Sequence, residues 1–448
     1  MKSGAALVVG GGVAGLTAAA LLKGRHARVV LVEREASCGG LLRSFTNPDG
    51  VSFDYGTHYV AETGVPELDA VILSGVDDRW NLFESNKAGA YYGGRLNAGS
   101  PFIDARRLPP EVYRRGLEEL LSAAPAKDPA TAEAELRGHF GGAFTSAILE
   151  PVLRKLLGAG PADLAPGAHK LFALGRLVVE TPEKTRELKK SPLLDARVAF
   201  HSRDEAPSAI RSWYPKEGGV GLWAEAMTRR LREAGVEVLM GESVESLRLE
   251  GGAVRGARLG RAGELELDRL VWTAPLFQFF KAAGLSSPGK PPKLRTSVLH
   301  HLVYDRPFAT DLNYVTCYDP SMKSFRVTLY PNVLKRPARA PFNCTVESFA
   351  GSAEEAEALR DAVPAELPAM GIVPAGASLV SARMDVVREG FPVRTPEFAA
   401  SAAAQGAAAR AAASNADFLG KASGSAFFQD EVLRETWHAV SPRTEARL

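Results

Sequence analysis

Residues 5–43 read AALVVGGGVAGLTAAALLKGRHARVVLVEREASCGGLLR, and their order decides the fold. Residues 5–9 form an apolar run of strand length. Gly10-Gly11-Gly12-Val13-Ala14-Gly15 fits G-x-G-x-x-G. Residues 14–23 are rich in Ala and Leu and favour a helix. A second apolar run, 29–32, ends in Glu33. Strand, glycine turn, helix, strand and acid within about 30 residues is the context that gives this fingerprint meaning. Gly10 permits the tight turn, Gly12 lets a pyrophosphate approach the backbone, and Gly15 lets helix and strand pack closely. The helix N-terminus offers free N–H groups and a positive dipole end. Glu33 can accept hydrogen bonds from an adenosine ribose, and its charge argues against a 2′-phosphate. The stretch predicts an α/β, Rossmann-like dinucleotide site.

The remaining composition narrows the class. A chain of 448 residues predicts two or three domains. Apolar content of 46% and charge of 24% are those of a globular protein with a large core. A net charge of +2 is too small to point to nucleic acid, and Arg106-Arg107 and Lys189-Lys190 read as solvated faces. The three cysteines, Cys38, Cys317 and Cys344, form no C-x-x-C pair and cannot all pair with one another, so a reduced, cytoplasmic protein is expected. No targeting region is expected, since the first strand begins within a few residues, and no run approaches the roughly 18 apolar residues of a membrane span. No metal site is expected.

Downstream of Glu33 come Gly39-Gly40-Leu41-Leu42-Arg43-Ser44-Phe45 and then Val51-Ser52-Phe53-Asp54-Tyr55-Gly56-Thr57-His58. With these, the sequence resembles the glutathione-reductase-type flavoproteins. The branch concerned holds amine oxidases, protoporphyrinogen oxidases, phytoene desaturases and UDP-galactopyranose mutases, which carry a GGxxR-S/T-F stretch followed by D-x-G-x-H. The resemblance implies FAD as cofactor. It places Arg34, Gly39, Gly40, Leu41, Leu42 and Arg43 along the ribose, pyrophosphate and ribityl chain, beside Gly10, Gly12, Val13, Ala14, Gly15 and Glu33. It places Gly56, Thr57 and His58 beside the isoalloxazine ring. It also implies that Val244 meets the adenine through its backbone and that Ala274 ends a strand near the adenine half. Gly420, Gln429, Asp430 and Val432 match the family's C-terminal glycine and the helix beneath the flavin. Lys421 stands where the family usually has Arg.

The same resemblance implies an α/β fold with a discontinuous FAD-binding domain (1–63, 210–293 and 396–448). A helical insert (64–209) and a β-rich substrate domain (294–395) complete it. Helices are predicted at 109–123, 131–139, 144–157 and 180–190, with a Pro151–Lys155–Gly158 spacing like that of the family's insert. Strands are predicted at 297–304, 313–318, 325–329, 343–349 and 378–387, and helices at 353–370 and 399–413.

The expected function is an FAD-dependent oxidoreductase that moves a hydride from a small polar biosynthetic substrate to flavin N5. His58 is the candidate acid, base or hydrogen-bond donor, with a structural role as its alternative; Lys216 and Lys323 are candidates by residue type. The alternative function is a non-redox sugar-nucleotide mutase, with Arg326, Tyr304, Tyr314, Tyr318 and Arg394 as possible holders of a glycosyl or nucleotide-sugar substrate. His58 and Cys38 are the positions for any covalent flavin link.

Overall fold

The computed structural model describes residues 3–205 and 210–441. The outermost parts of the expected divisions, 1–2, 206–209 and 442–448, lie outside the described residues.

The first strand, Ser3–Val9, is the middle of a five-stranded parallel sheet. In space the order is Glu237–Met240, His26–Glu33, Ser3–Val9, Arg269–Trp272, Ala416–Phe418. Ala6, Leu7 and Val8 are wholly buried, as are Val29 and Leu31. A parallel strand covered on both faces has no polar side to show, which is why these runs do not alternate. The helix Val13–Lys23 is apolar around most of its circumference because it packs on this sheet and against the helices Gly221–Glu233 and Gln429–Val440.

A second sheet has seven strands, in the order Leu379–Pro392, Leu294–Tyr304, Phe342–Ala350, Ser324–Leu329, Tyr314–Cys317, Ala88–Tyr92, Arg95–Asn97. Five come from the region expected to be β-rich and pair antiparallel. The helix Ala353–Ala369 packs on one face. The other two strands correct the picture of residues 64–209 as helix-dominated throughout. Ala88–Tyr92 joins Tyr314–Cys317 in parallel, and Trp80–Phe83 lies in a separate small sheet with Ser212–Pro215. Ala88, Ala90 and Tyr91 are buried, so this five-residue strand carries neither alternation nor length to announce itself.

The longer helices of 64–209 are Pro110–Ser122, Ala132–Phe144 and Glu150–Leu157, the last two joined through the π-helical segment Thr145–Leu149, and shorter ones run over Pro66–Ile72, Pro182–Leu188 and Pro192–Asp195. The break anticipated after residue 139 falls at Gly141, whose φ of 80° interrupts the helical backbone. Arg197 is fully buried, and its Nη1 donates to the carbonyls of Leu120 and Ala123 at 2.9 Å each. A cation here satisfies carbonyls at the end of Pro110–Ser122 and favours the negative end of the helix dipole.

Burial lowers the pKa of four histidines, His58, His169, His300 and His301, to about 4. Between pH 6.5 and 4 the unfolded chain binds these protons and the folded chain does not. Asp54, pushed up to about 6 by burial, opposes this with one proton held in the folded state. The net uptake on unfolding makes stability fall with acidification, at roughly 4 kcal/mol per pH unit where steepest. Urea midpoints measured from pH 7 to pH 5 should fall steeply; a flat profile would refute neutral burial of the histidines. Among the described residues no helix is long and apolar enough to cross a membrane.

Candidate functional site

Three glycine-bearing pieces from distant parts of the sequence converge at the C-terminal end of the central strand. Gly10, at φ 101°, turns the chain and donates its N–H to Val32 O at 2.8 Å. A Cβ at Gly15 would overlap the Gly10 carbonyl oxygen, so helix and strand can approach this closely only with glycine there. Beside Gly12 the space is open, with nothing within 4 Å of a Cβ built on it. Gly12 is also the N-cap of Val13–Lys23 and brings no capping side chain to the first turn. The N–H groups of that turn, at Val13, Ala14 and Gly15, are therefore left for a ligand.

The second piece is the turn at Gly39 and Gly40, both with positive φ. Gly39 N–H donates to Gly11 O at 2.7 Å, and a Cβ on Gly40 would sit 3.3 Å from Gly12 Cα. Arg43 donates to Gly40 O at 2.8 Å and lies over the Tyr55 ring. Leu42 is buried in the core and Leu41 is exposed. Arg34 is exposed as well and reaches Glu35, 3.3 Å away, so its side chain is not drawn into the glycine turns.

The third piece closes from the far end of the chain. A Cβ on Gly420 would lie 3.5 Å from Ala14 Cβ and 3.7 Å from Val432 Cγ1. Gln429 and Asp430 open the last helix, and Gln429 Nε2 is buried with no hydrogen-bond partner among the described residues. The backbone N of Ala274 is 3.8 Å from a Cβ built on Gly10. Val244 begins a strand just after Glu242, whose N–H donates to Glu33 O at 2.9 Å. Open space at Gly12, an uncapped helix and the unfilled donor of Gln429 fit an extended dinucleotide running from the glycine turn to the last helix.

Glu33 is already oriented. Its Oε2 accepts from Gly11 N–H at 2.7 Å and its Oε1 from Glu35 N–H at 2.9 Å. Each oxygen keeps a lone pair for a ribose hydroxyl. Glu33→Ala should weaken FAD binding by about 1–3 kcal/mol in a flavin titration; unchanged affinity would mean the ribose is held elsewhere.

Next to this cradle, the turn at 55–58 meets the second sheet. Gly56 has a φ of 118°, and a Cβ there would lie 3.3 Å from His58 Nε2 and 3.5 Å from Glu347 Cδ. Thr57 N–H donates to Glu347 Oε1 at 3.1 Å, and Thr57 and Thr328 share a hydrogen bond through their hydroxyls. Arg326 grips the same carboxylate with two bonds, Nε to Oε1 at 2.7 Å and Nη2 to Oε2 at 3.0 Å. Burial alone would push Glu347 up, but Arg326 more than offsets it and holds the carboxyl below its usual range. Burial, aided by the Arg326 charge, keeps His58 neutral at pH 7. His58 and Arg326 are thus brought together, joined by Glu347, which the sequence did not single out.

Other candidates fall elsewhere. Tyr318 OH donates to Phe172 O at 2.9 Å, and Tyr304 is buried among the side chains under the helix Ala353–Ala369, so neither is free for a sugar. Tyr314 is only half-buried, and the charge of Arg326 acts on its hydroxyl. Lys216 and Lys323 are exposed, and among the described residues they hydrogen-bond through their backbone N–H groups, to Arg79 O and to Glu366. Cys38 is buried beside Gly11, and burial raises its thiol pKa, which disfavours a thiolate. Among the described residues no group of three or more His, Cys, Asp or Glu could hold a metal.

Asp54, quoted in the motif without a role, is the hub of the turn. It is fully buried and accepts from Ser44 Oγ at 2.5 Å, Tyr214 OH at 2.6 Å and Val220 N–H at 3.0 Å. Its own N–H donates to Tyr330 OH at 2.8 Å. An acid at the end of an apolar strand was the available signal, but its partners are 160 or more residues away in three of these four bonds.

Comparison with known proteins agrees with this geometry. A family model described as NAD(P)-binding Rossmann-like domain matches residues 8–71. Protoporphyrinogen oxidase of Bos taurus is 25% identical over 296 residues, 60% of this chain and 59% of the bovine protein. That of Homo sapiens is 24% identical over 297 residues, with the same shares covered. The chain thus aligns with less than two thirds of the length of these relatives. Reduced UDP-galactopyranose mutase superposes with a TM-score of 0.74 at 16% identity, over 98% of this chain and 96% of that one. A redesigned putrescine oxidase superposes at 0.58 with 14% identity, over 98% and 99%. In sequence the chain is similar to protoporphyrinogen oxidases, its fold is that of UDP-galactopyranose mutase and putrescine oxidase, and its glycine cradle fits an FAD cofactor.

Proposed function

We propose that the chain is an FAD-dependent oxidoreductase acting on a small polar substrate, with hydride transfer to flavin N5. The observation that carries this reading is the bidentate bond between Arg326 and Glu347. A guanidinium already matched by a buried carboxylate contributes little net charge, so it is poorly placed to hold a diphosphate. When bound, FAD supplies the two-electron chemistry. The chain's own part is to position and to exclude water. Gly56 and Thr57 hold a tight turn against Glu347. Neutral His58 can accept a proton or a hydrogen bond at its free ring nitrogen. Thr57 and Thr328 add hydroxyls without charge.

We propose further that the FAD-binding domain is assembled from 1–63, 210–293 and 396–448, around an insert (64–209) and a substrate domain (294–395). A cytoplasmic location is supported by three cysteines that are all buried and unpaired. The mutase reading keeps one observation in its favour: among the described residues Arg394 has no carboxylate partner within ion-pair distance, and its Nε is unpartnered.

Absorbance of the purified protein, followed by dithionite reduction and re-exposure to air, separates the readings. Flavin bands with rapid reoxidation support an oxidase and direct the search to amines and alcohols. Flavin that stays reduced until an acceptor is added supports a dehydrogenase. Turnover of a UDP-sugar by the reduced protein, with no net electron transfer, would replace the oxidoreductase reading with the mutase.

A further inference from the structure

A cavity of about 230 Å³ lies apart from the glycine cradle, between the end of the helix Glu150–Leu157, the start of the strand Leu294–Tyr304 and the turn before Ser324. Four cations line it, Arg154, Lys155, Arg295 and Lys323, against one carboxylate, Glu355. Phe349 and Met322 supply apolar wall.

These charges are unevenly matched. Arg154 is paired within its own helix to Glu150 at 2.8 Å. Lys155 donates to carbonyls, Cys317 O at 2.7 Å and Asp319 O at 2.9 Å, and makes no direct ion pair among the described residues, although the Glu366 and Asp319 carboxylates act on its charge. Lys323 has no ion pair among the described residues. Arg295 is 8% exposed. Its Nη2 donates to Phe349 O at 3.1 Å and its Nη1 stands 3.5 Å from Glu355, which also accepts from Gly351 N–H. Its Nε is enclosed and has no hydrogen-bond partner among the described residues. A cavity lined by four cations and one carboxylate, with the Arg295 guanidinium in its wall, suits an acceptor that carries negative charge.

We infer that this cavity is an oxyanion site that takes the phosphate or carboxylate group of a small molecule, separate from the FAD cradle. The volume sets the ligand class, since it falls below the roughly 300–1,000 Å³ of sites for drug-sized ligands. A dinucleotide does not fit, whereas orthophosphate or a short phosphorylated or dicarboxylic molecule does. Lys323 and Arg154, at the rim, screen with salt; Arg295, inside, does not.

The test is isothermal titration of the FAD-loaded protein with inorganic phosphate, and separately with succinate, at low ionic strength. Saturation at one anion per chain is expected. Saturation by phosphate alone assigns a phosphate ligand, and by succinate alone a dicarboxylate. Lys323→Glu should weaken binding about tenfold or more, the loss of one charge-assisted hydrogen bond, with flavin content unchanged. Arg295→Met should abolish binding; because it also unpairs Glu355, the exposed Lys323→Glu carries the test if Arg295→Met does not fold. No saturation by either anion, or an unchanged Kd in Lys323→Glu, would overturn the site. Flavin content reads the cradle independently, so failure here leaves the FAD assignment standing.

Discussion

Gly12→Glu should yield a folded protein that retains no FAD. The backbone at Gly12 is extended, at φ −77°, a conformation any residue adopts, and nothing lies within 4 Å of a Cβ built there. The substitution therefore adds no clash to the protein itself. It fills the space left for the pyrophosphate and puts a carboxylate at the helix N-terminus, where it takes the N–H groups and repels the phosphates. Two or more charge-assisted hydrogen bonds are lost, at about 1.5–3 kcal/mol each. Flavin absorbance per chain after loading, read beside a thermal melt, gives the answer. A variant with full flavin content would reject the cradle. Gly15→Ala makes the contrast, because its Cβ would meet the Gly10 carbonyl oxygen and the damage should appear in the melt itself.

The second large effect is expected at Arg326. Arg326→Met leaves Glu347 buried without its cation, and such a break costs about 3–5 kcal/mol. The double variant Arg326→Met/Glu347→Met should recover most of that loss, because no charge is left stranded. The sign with pH follows. In the wild type Arg326 holds the Glu347 carboxyl below its usual range. Without it, burial raises the carboxyl above its unfolded value, so the single variant gains less stability than wild type as pH rises and the gap widens from pH 5 to pH 8. Denaturant midpoints across that range measure it. A single variant as stable as wild type would show that the pair is not coupled. The same variant addresses the mutase reading: a raised Kd for UDP would bring Arg326 back as a diphosphate ligand, and an unaltered titration would remove it.

The pieces legible in the sequence are those whose signal is local. The expected strand 297–304 is Leu294–Tyr304, the expected helix 353–370 is Ala353–Ala369, and the expected helix 399–413 is Pro396–Ala412. β-rich runs and Ala-rich composition place these within a few residues, and in the structure the side chains of Ser352 and Thr395 cap the two helices. The glycine cradle was legible because close approach leaves glycine as its mark. Illegible were groups defined by distant partners. Glu347 is a charge in an otherwise buried strand, and only the fold brings it to Thr57, 290 residues away. Arg197 could be any surface arginine until the carbonyls of Leu120 and Ala123 are seen around it. Lys155, expected from its spacing alone, proves to clamp the loop at Cys317 and Asp319.

The wall that Gly420 and Val432 present to Ala14 has a consequence for how the protein is made. Translation delivers the Gly10–Gly15 turn first and its closing wall some 400 residues later. At 5–20 residues per second the interval is roughly 20–80 s. Over that time the nascent chain has half a cradle, and the Arg269–Trp272 strand waits with one side unpaired until Ala416–Phe418 arrives. An open parallel edge is an invitation to wrong pairing. Ribosome-bound chains stalled before residue 416 should therefore take up no flavin and should lean on chaperones, and cofactor capture should follow synthesis of the helix Gln429–Val440.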